Sequence, residues 1–345
     1  MSGSYILSGR VWSGNAFEDG YVIIVDGRVE DVRYGEYNGP PDFKGCVLPG
    51  IIDTHTHVAD AGLKLHRHYD LEELVAPPNG LKHKYLDETP PEKIVTSMAS
   101  YVNALYDKGV SRIIDFREGG IQGIAMLRNL FPKSIILGRP MSTNFNVSEV
   151  DDILKYADGI GISSISDMSH RYVDAIAEEV HKRRKILALH VSERVREDMD
   201  YVISLKPNFV VHMVYATNSD IAKCVDNDIP ISVCPRSNFY FGIKAPVNSM
   251  INAGASVSIG TDNAMLTPDS NIFNEAKTFY ELLSTGNRER GETFRSLIAH
   301  GRELLHENSA LETMIGNKAD IVAIPCGEEH LLTNGCDGAV RFYSR

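Results

Sequence analysis

Short apolar runs recur through the middle of the chain, and most of them stop at a polar or charged residue. They cover Gly50 to Thr54, Ser111 to Phe116, Ser134 to Gly138, Gly159 to Ile162, Ile186 to Leu189, Phe209 to Val211, Ile229 to Val233 and Ser256 to Gly260. Runs this short, with apolar residues at both parities, predict strands buried on both faces. Between them, Pro91 to Lys108, Val173 to Arg184 and Ala216 to Asn227 place their apolar residues on one helical face. Eight such strands alternating with helices predict an α/β chain folded as a parallel TIM-like (β/α)8 barrel over residues 48–315. No Gly-x-Gly-x-x-Gly turn follows the first of them, which disfavours an open dinucleotide-binding sheet.

The two ends of the chain have a different pattern. Residues 1–47 contain Tyr21 to Val25 and Arg28 to Val32 on either side of Asp26-Gly27, a two-residue hairpin signal. Residues 316–345 contain strand-like runs at Asp320 to Ile324 and Gly338 to Tyr343. The two ends are expected to pair into one small β-sandwich domain. A long segment from Asp60 to Asp87, with the turn Ala76 to Gly80 and three histidines (His66, His68, His83), follows the first barrel strand. Its length suits a specificity lid or a solvated ornament.

The chemistry sits where the apolar runs end. His55 and His57 close the first strand at i, i+2, so both side chains point the same way. Two imidazoles so placed can ligate one divalent metal, or be two surface histidines. His190 and His212 close the fifth and sixth strands, and Asp262 follows the eighth. In a barrel the carboxyl ends of the strands share one face, so these groups converge there. Arg117 and Glu118, past the second strand, stand near the mouth as candidate substrate contacts or as an ion pair with each other. Arg236 and Asn238, past the seventh, are further candidate contacts. Gly119, Gly120 and Gly123 either open an anion-binding helix start or serve tight packing.

Composition removes several functions. The 345 residues carry a formal charge of −11, against general binding of a phosphate backbone, so no nucleic-acid partner is expected. No run of about 18 apolar residues and no signal-peptide pattern is present, so the expectation is a cytoplasmic protein without a membrane partner. Five scattered cysteines lack a Cys-x-x-Cys pair and read as thiols in a reducing compartment. That also excludes the deaminase signature built on Pro-Cys-x-x-Cys.

The motifs Pro49-Gly50-Ile51-Ile52-Asp53-Thr54-His55-Thr56-His57, His190-Val191-Ser192-Glu193, Val211-His212, Cys234-Pro235-Arg236-Ser237-Asn238 and Gly260-Thr261-Asp262 together resemble the amidohydrolase superfamily. More narrowly they resemble its cytosine-deaminase and chlorohydrolase-like branch. Gly316 to Ile321 resembles the re-entry into that superfamily's split β-sandwich. The resemblance implies that His55, His57, His190 and Asp262 bind one divalent metal, commonly zinc or iron. It implies catalytic roles for Asp262 on the attacking water, His212 on that water or the oxyanion, and Glu193 as proton shuttle. Asp158 to Asp167 offers no Lys, Glu or Cys to bridge two metals, so a mononuclear site is expected. The implied activity is hydrolytic deamination of a small aminated heterocycle. The alternative is hydrolysis of a cyclic amide, imidazolone or carbon–halogen bond, and the remote one a non-catalytic barrel protein. A homo-oligomer is expected by resemblance only.

Overall fold

Strands form where the apolar runs predict them. The computed structural model describes residues 3–76, 79–142, 144–283, 289–334 and 340–342. Four strands come first: β1 (Ser4–Trp12), β2 (Phe17–Val25), β3 (Arg28–Tyr34) and β4 (Phe43–Pro49). Then come β5 (Ile51–His57), β6 (Val110–Arg117), β7 (Ile135–Gly138), β8 (Gly159–Ile162) and β9 (Ile186–Val191). These are followed by β10 (Phe209–His212), β11 (Ile231–Val233), β12 (Val257–Ile259) and the two-residue β13 (Asp262–Asn263). The last two are β14 (Ile321–Ile324) and β15 (Val340–Phe342).

β5 to β13 form one parallel sheet in the order β12-β11-β10-β9-β8-β7-β6-β5-β13. Every residue of β5, β8, β10, β11 and β12 is buried, which is why these strands lack the alternation of a half-exposed sheet. The sheet is rolled. Thr54 of β5 lies 2.7 Å from Ser232 Oγ of β11, and its hydroxyl accepts from Ser258 of β12 at 3.1 Å. Those partners belong to the opposite side of the strand order, so the fold is TIM-like. β5 runs three residues past the predicted Thr54 because β13 pairs with it, Asp262 beside Thr56 and Asn263 beside His57.

The predicted helices form with conventional starts. They span Pro91–Asp107, His170–Lys182 and Asn218–Asp226; Ser169 caps the second, and Thr217 with Asp220 makes a capping box on the third. The long segment after β5 is not structureless: it holds helices Leu71–Val75 and Leu81–Glu88. Within the turn expected at Ala76 to Gly80, Pro77 and Pro78 lie outside the described residues. No helix among the described residues is long and apolar enough to cross a membrane.

Chain contacts divide the protein into two compact units, one of Met1–Asp53, Ala104–Arg112 and Asn271–Arg345, the other of Thr54–Asn103 and Ile113–Ser270. In the first, the terminal strands make a single sheet, β15-β14-β4-β1-β2-β3, rather than two recorded layers. β14 runs antiparallel to β4 from Ile321 beside Pro49 to Ile324 beside Cys46, so the two ends of the chain do pair. The Asp26-Gly27 hairpin has positive φ at both residues, 47° and 73°, as a type I′ turn requires. Of the run expected over 338–343, residues 338, 339 and 343 lie outside the described residues.

In the second unit, Gly260 is pressed against β5. A methyl group there would stand 2.7 Å from both the backbone nitrogen and Cβ of His55 and 2.8 Å from its carbonyl oxygen. Backbone atoms cannot swing aside as a side-chain end can. Gly260→Ala is therefore expected to cost about 1–3 kcal/mol and to displace His55, measurable as a lowered urea midpoint with unchanged slope.

Candidate metal and catalytic site

Five side chains meet at the carboxyl ends of the rolled sheet. His55 and His57 come from β5, His190 from β9, His212 from β10 and Asp262 from the start of β13, and all five are buried. His212 and Asp262 have φ of 73° and 62°, and Ser192, next to Glu193, has 52°. Left-handed backbone is unfavourable for these residues, and clusters of it mark sites where the surrounding structure forces side chains into a required direction. Here it bends the chain as each strand ends.

The hydrogen bonds at the rim of the cluster decide what its centre can hold. His57 Nδ1 donates to Glu118 Oε1 at 2.8 Å, and His190 Nδ1 donates to the carbonyl oxygen of Ile162 at 2.9 Å. Each ring then carries its proton on Nδ1 and a lone pair on Nε2. Those two Nε2 atoms are 3.3 Å apart, facing each other without a proton to share. His55 has no hydrogen bond at either ring nitrogen, and its Nε2 is 3.3 Å from Asp262 Oδ1. Two imidazole lone pairs, the unpaired His55 ring and a carboxylate oxygen thus converge. A cation satisfies all four at once. His55, His57 and His190 form one group with ligand atoms within 4.8 Å of one another, and His55, His212 and Asp262 another.

Protonation follows from burial and neighbours. Burial holds the His55, His57, His190 and His212 rings below the usual imidazole range, His57 to about 4 with Lys82 adding to the effect. They stay neutral, as ligands must. Burial opposes the charge on Asp262, yet His55 and the other imidazoles outweigh it and keep the carboxyl well below its usual range. Ser237 Oγ donates to Asp262 Oδ2 at 2.5 Å and fixes its orientation.

Glu193 stands on the other side of the cluster, with Oε1 3.5 Å from His212 Nε2. Burial and the charge of Asp262 push its carboxyl up to about 8. It is not in the first turn of a helix, since the next helix begins only at Met199. Its loop is held by Glu197, which accepts from Ser192 N at 2.9 Å and from Ser166 N at 3.0 Å, tying the segments after β9 and β8 together. Asn238 Nδ2 donates to His212 Nδ1 at 3.4 Å, which leaves the imidazole proton on Nε2, toward Glu193.

A sequence model of the amidohydrolase family matches residues 46–298, which is most of the chain. The chain belongs to the amidohydrolase family. It is 33% identical to an uncharacterised protein of Methanocaldococcus jannaschii over 70% of this chain and 69% of that one. It is 24% identical to the 5-methylthioadenosine/S-adenosylhomocysteine deaminase of Bacillus cereus over 91% of this chain and 82% of that enzyme. Its fold is similar to a crystal structure of an adenosine deaminase from Xanthomonas campestris with bound zinc, at a TM-score of 0.75 and 15% identity, covering 96% of this chain and 89% of that one.

Of the four expected substrate contacts, Glu118 lines the main cleft and Arg117, Arg236 and Asn238 do not. Arg117 does not line the cleft: it is buried, and its guanidinium is spent on Asp115 at 3.4 Å, on Glu118 Oε2 at 3.2 Å and on the Glu118 carbonyl at 3.0 Å. Glu118 lines the cleft but holds His57, in a carboxylate–histidine pairing that fixes the ring for a metal. Arg236 points to Asp269 at 2.8 Å, and Asn238 supports His212. The helix Pro235–Tyr240, with Pro235 at its first position, turns Ser237 and Asn238 inward. The proline marks a helix start in the sequence, but which residues face inward from it is set by packing.

Lys82 carried no sequence signal. It lies on the helix Leu81–Glu88, is buried, and puts its ammonium 2.7 Å from Glu118 Oε1, 2.9 Å from Asn263 Oδ1 and 3.8 Å from Asp60 Oδ2. Burial opposes the charge on Glu118, but Lys82 and then His57 outweigh it and hold that carboxyl well below its usual range. His66 and His68 are exposed and belong to no metal-holding group among the described residues.

Proposed function

We propose that this amidohydrolase is a metal-dependent hydrolytic deaminase of an aminated heterocycle, of purine, pyrimidine, pterin or triazine type. The observation that carries the reading is that the ligand cluster of His55, His57, His190 and Asp262 shares one cleft with Glu193, whose Oε1 is 3.5 Å from His212 Nε2; the surroundings push the two buried carboxyl groups apart, Asp262 down and Glu193 up. Two titratable groups separated in this way are a base and an acid ready for one reaction. The deaminase names of the Bacillus relative and the Xanthomonas structure support the same chemistry.

His55, His57, His190 and Asp262 would hold one zinc ion, for which imidazole and carboxylate donors are suited. When bound, such an ion supplies Lewis acidity and brings the pKa of a water toward about 7. Asp262, unprotonated, takes a proton from the attacking water. Glu193 gives its proton to the ring nitrogen beside the attacked carbon, or to the departing amine. His212, with its proton on Nε2, donates to the oxygen that gains charge at that carbon. His57, His190, Glu193, His212 and Asp262 all line one cleft, so a small heterocycle entering it would lie beside all of them.

The test is ammonia release from a panel of amino-purines, amino-pyrimidines, pterins and triazines by zinc-loaded protein. Turnover is expected to stop on chelation and return with zinc. Because the proton donor is Glu193 in its acid form, kcat/KM is expected to fall about tenfold per pH unit above about 8. A pH profile flat to 10 would remove Glu193 from that role. Silence across the panel with one metal per chain would instead favour cyclic-amide hydrolysis.

A further inference from the structure

We infer that the substrate carries an anionic group and that Arg139 receives it; the inference rests on the deaminase reading and adds the class of substrate. Arg139 follows β7 at the carboxyl end of the sheet and lines the same cleft as His57 and Glu193. It also lines an adjoining cleft with His83, Gly119 and Met141. Its side chain makes no hydrogen bond or ion pair with any described residue, although it is partly buried.

That isolation is unusual in this chain. Acidic residues outnumber Lys and Arg by 46 to 35, so partners for a guanidinium are plentiful. The acids that line the main cleft are all engaged elsewhere. Glu118 is taken by Lys82 and His57, Asp167 by Arg194, Asp262 by Ser237 and His55, and Glu193 faces His212. In the adjoining cleft the remaining acid, Asp87, is exposed. A partly desolvated guanidinium held beside a catalytic cleft without a partner is poised for a bidentate oxyanion, a carboxylate or a phosphate. The helix Gly120–Leu130 opens beside it with neither a capping side chain nor an acid in its first turn, and Glu118, which lines both clefts, is paired with Lys82 and Arg117. Packing accounts for Gly123, since a methyl there would meet the Glu118 carbonyl oxygen at 1.9 Å.

The experiment measures dissociation constants by calorimetry on zinc-loaded Glu193→Gln, whose turnover is slowed enough for binding to be read before the probe is consumed. The probes are adenosine, adenosine 5′-monophosphate, adenosine 5′-carboxylate and inorganic phosphate. Each is compared between that protein and the same protein carrying Arg139→Met or Arg139→Lys. An anionic probe is expected to bind roughly 30- to 1000-fold tighter than adenosine, and Arg139→Met is expected to abolish that advantage. The lysine variant should retain part of it. The better of the two nucleoside anions identifies phosphate or carboxylate as the group recognised. Phosphate held by the metal alone would be indifferent to Arg139. Equal affinity for neutral and anionic probes, no measurable binding of any anion, or an anion preference that survives Arg139→Met each overturns the inference. An Arg139-dependent preference without ammonia release from any panel compound would leave the anion site standing and remove the deaminase reading.

Discussion

Glu193→Gln is expected to lower kcat by about 10²–10⁴-fold with metal content unchanged. Glutamine keeps the volume and can still face His212, but it has no proton to give. The residue is held 3.5 Å from His212 Nε2 by a loop that Glu197 anchors, so the substitution leaves the surrounding hydrogen bonds intact. The four metal-holding candidates do not include Glu193, so zinc stoichiometry by mass spectrometry should stay at one per chain. A kcat within threefold of the parent would show that the proton comes from elsewhere, and loss of zinc would show that Glu193 is a structural partner of the cluster. The residual activity should also lack the alkaline limb near 8.

Lys82→Met is expected to destabilise the protein by about 3–5 kcal/mol. The ammonium is buried between Glu118, Asn263 and Asp60. Methionine fills the space but leaves the Glu118 carboxylate with only His57 and Arg117 to balance it in a dry site. A carboxylate so short of positive charge draws harder on the His57 ring, whose orientation the metal needs. Glu118→Gln in the same chain removes the excess charge, so the double variant should be more stable than the sum of the single losses implies. Urea unfolding of the four proteins at pH 7 reads these losses. Additive losses would show that Lys82 and Glu118 act independently.

The barrel strands and the groups at their ends were legible because both rest on short-range regularities. A strand buried on both faces must be apolar at both parities, and each of the eight runs named in the sequence overlaps a strand. His55 and His57 share a side of β5 by the period of a strand, and their convergence with His190, His212 and Asp262 follows from parallel strands ending on one face. The resemblance supplied Glu193, which the structure places on a loop ahead of the helix Met199–Ser204.

What the sequence by itself determined, then, is the rolled sheet and the buried cluster of histidines and aspartate at its carboxyl end. Tertiary structure alone decided how the rim is used. Arg117 turns inward to Asp115, while Lys82 reaches Asn263 across 181 positions of sequence. Arg139 is left without a partner among the described residues, in a chain rich in acids. Neighbouring residues on a strand have their directions set by backbone geometry. A charge on a connecting segment is directed by whichever opposite charge the folded chain brings within reach, and that pairing is encoded only in the complete arrangement of elements.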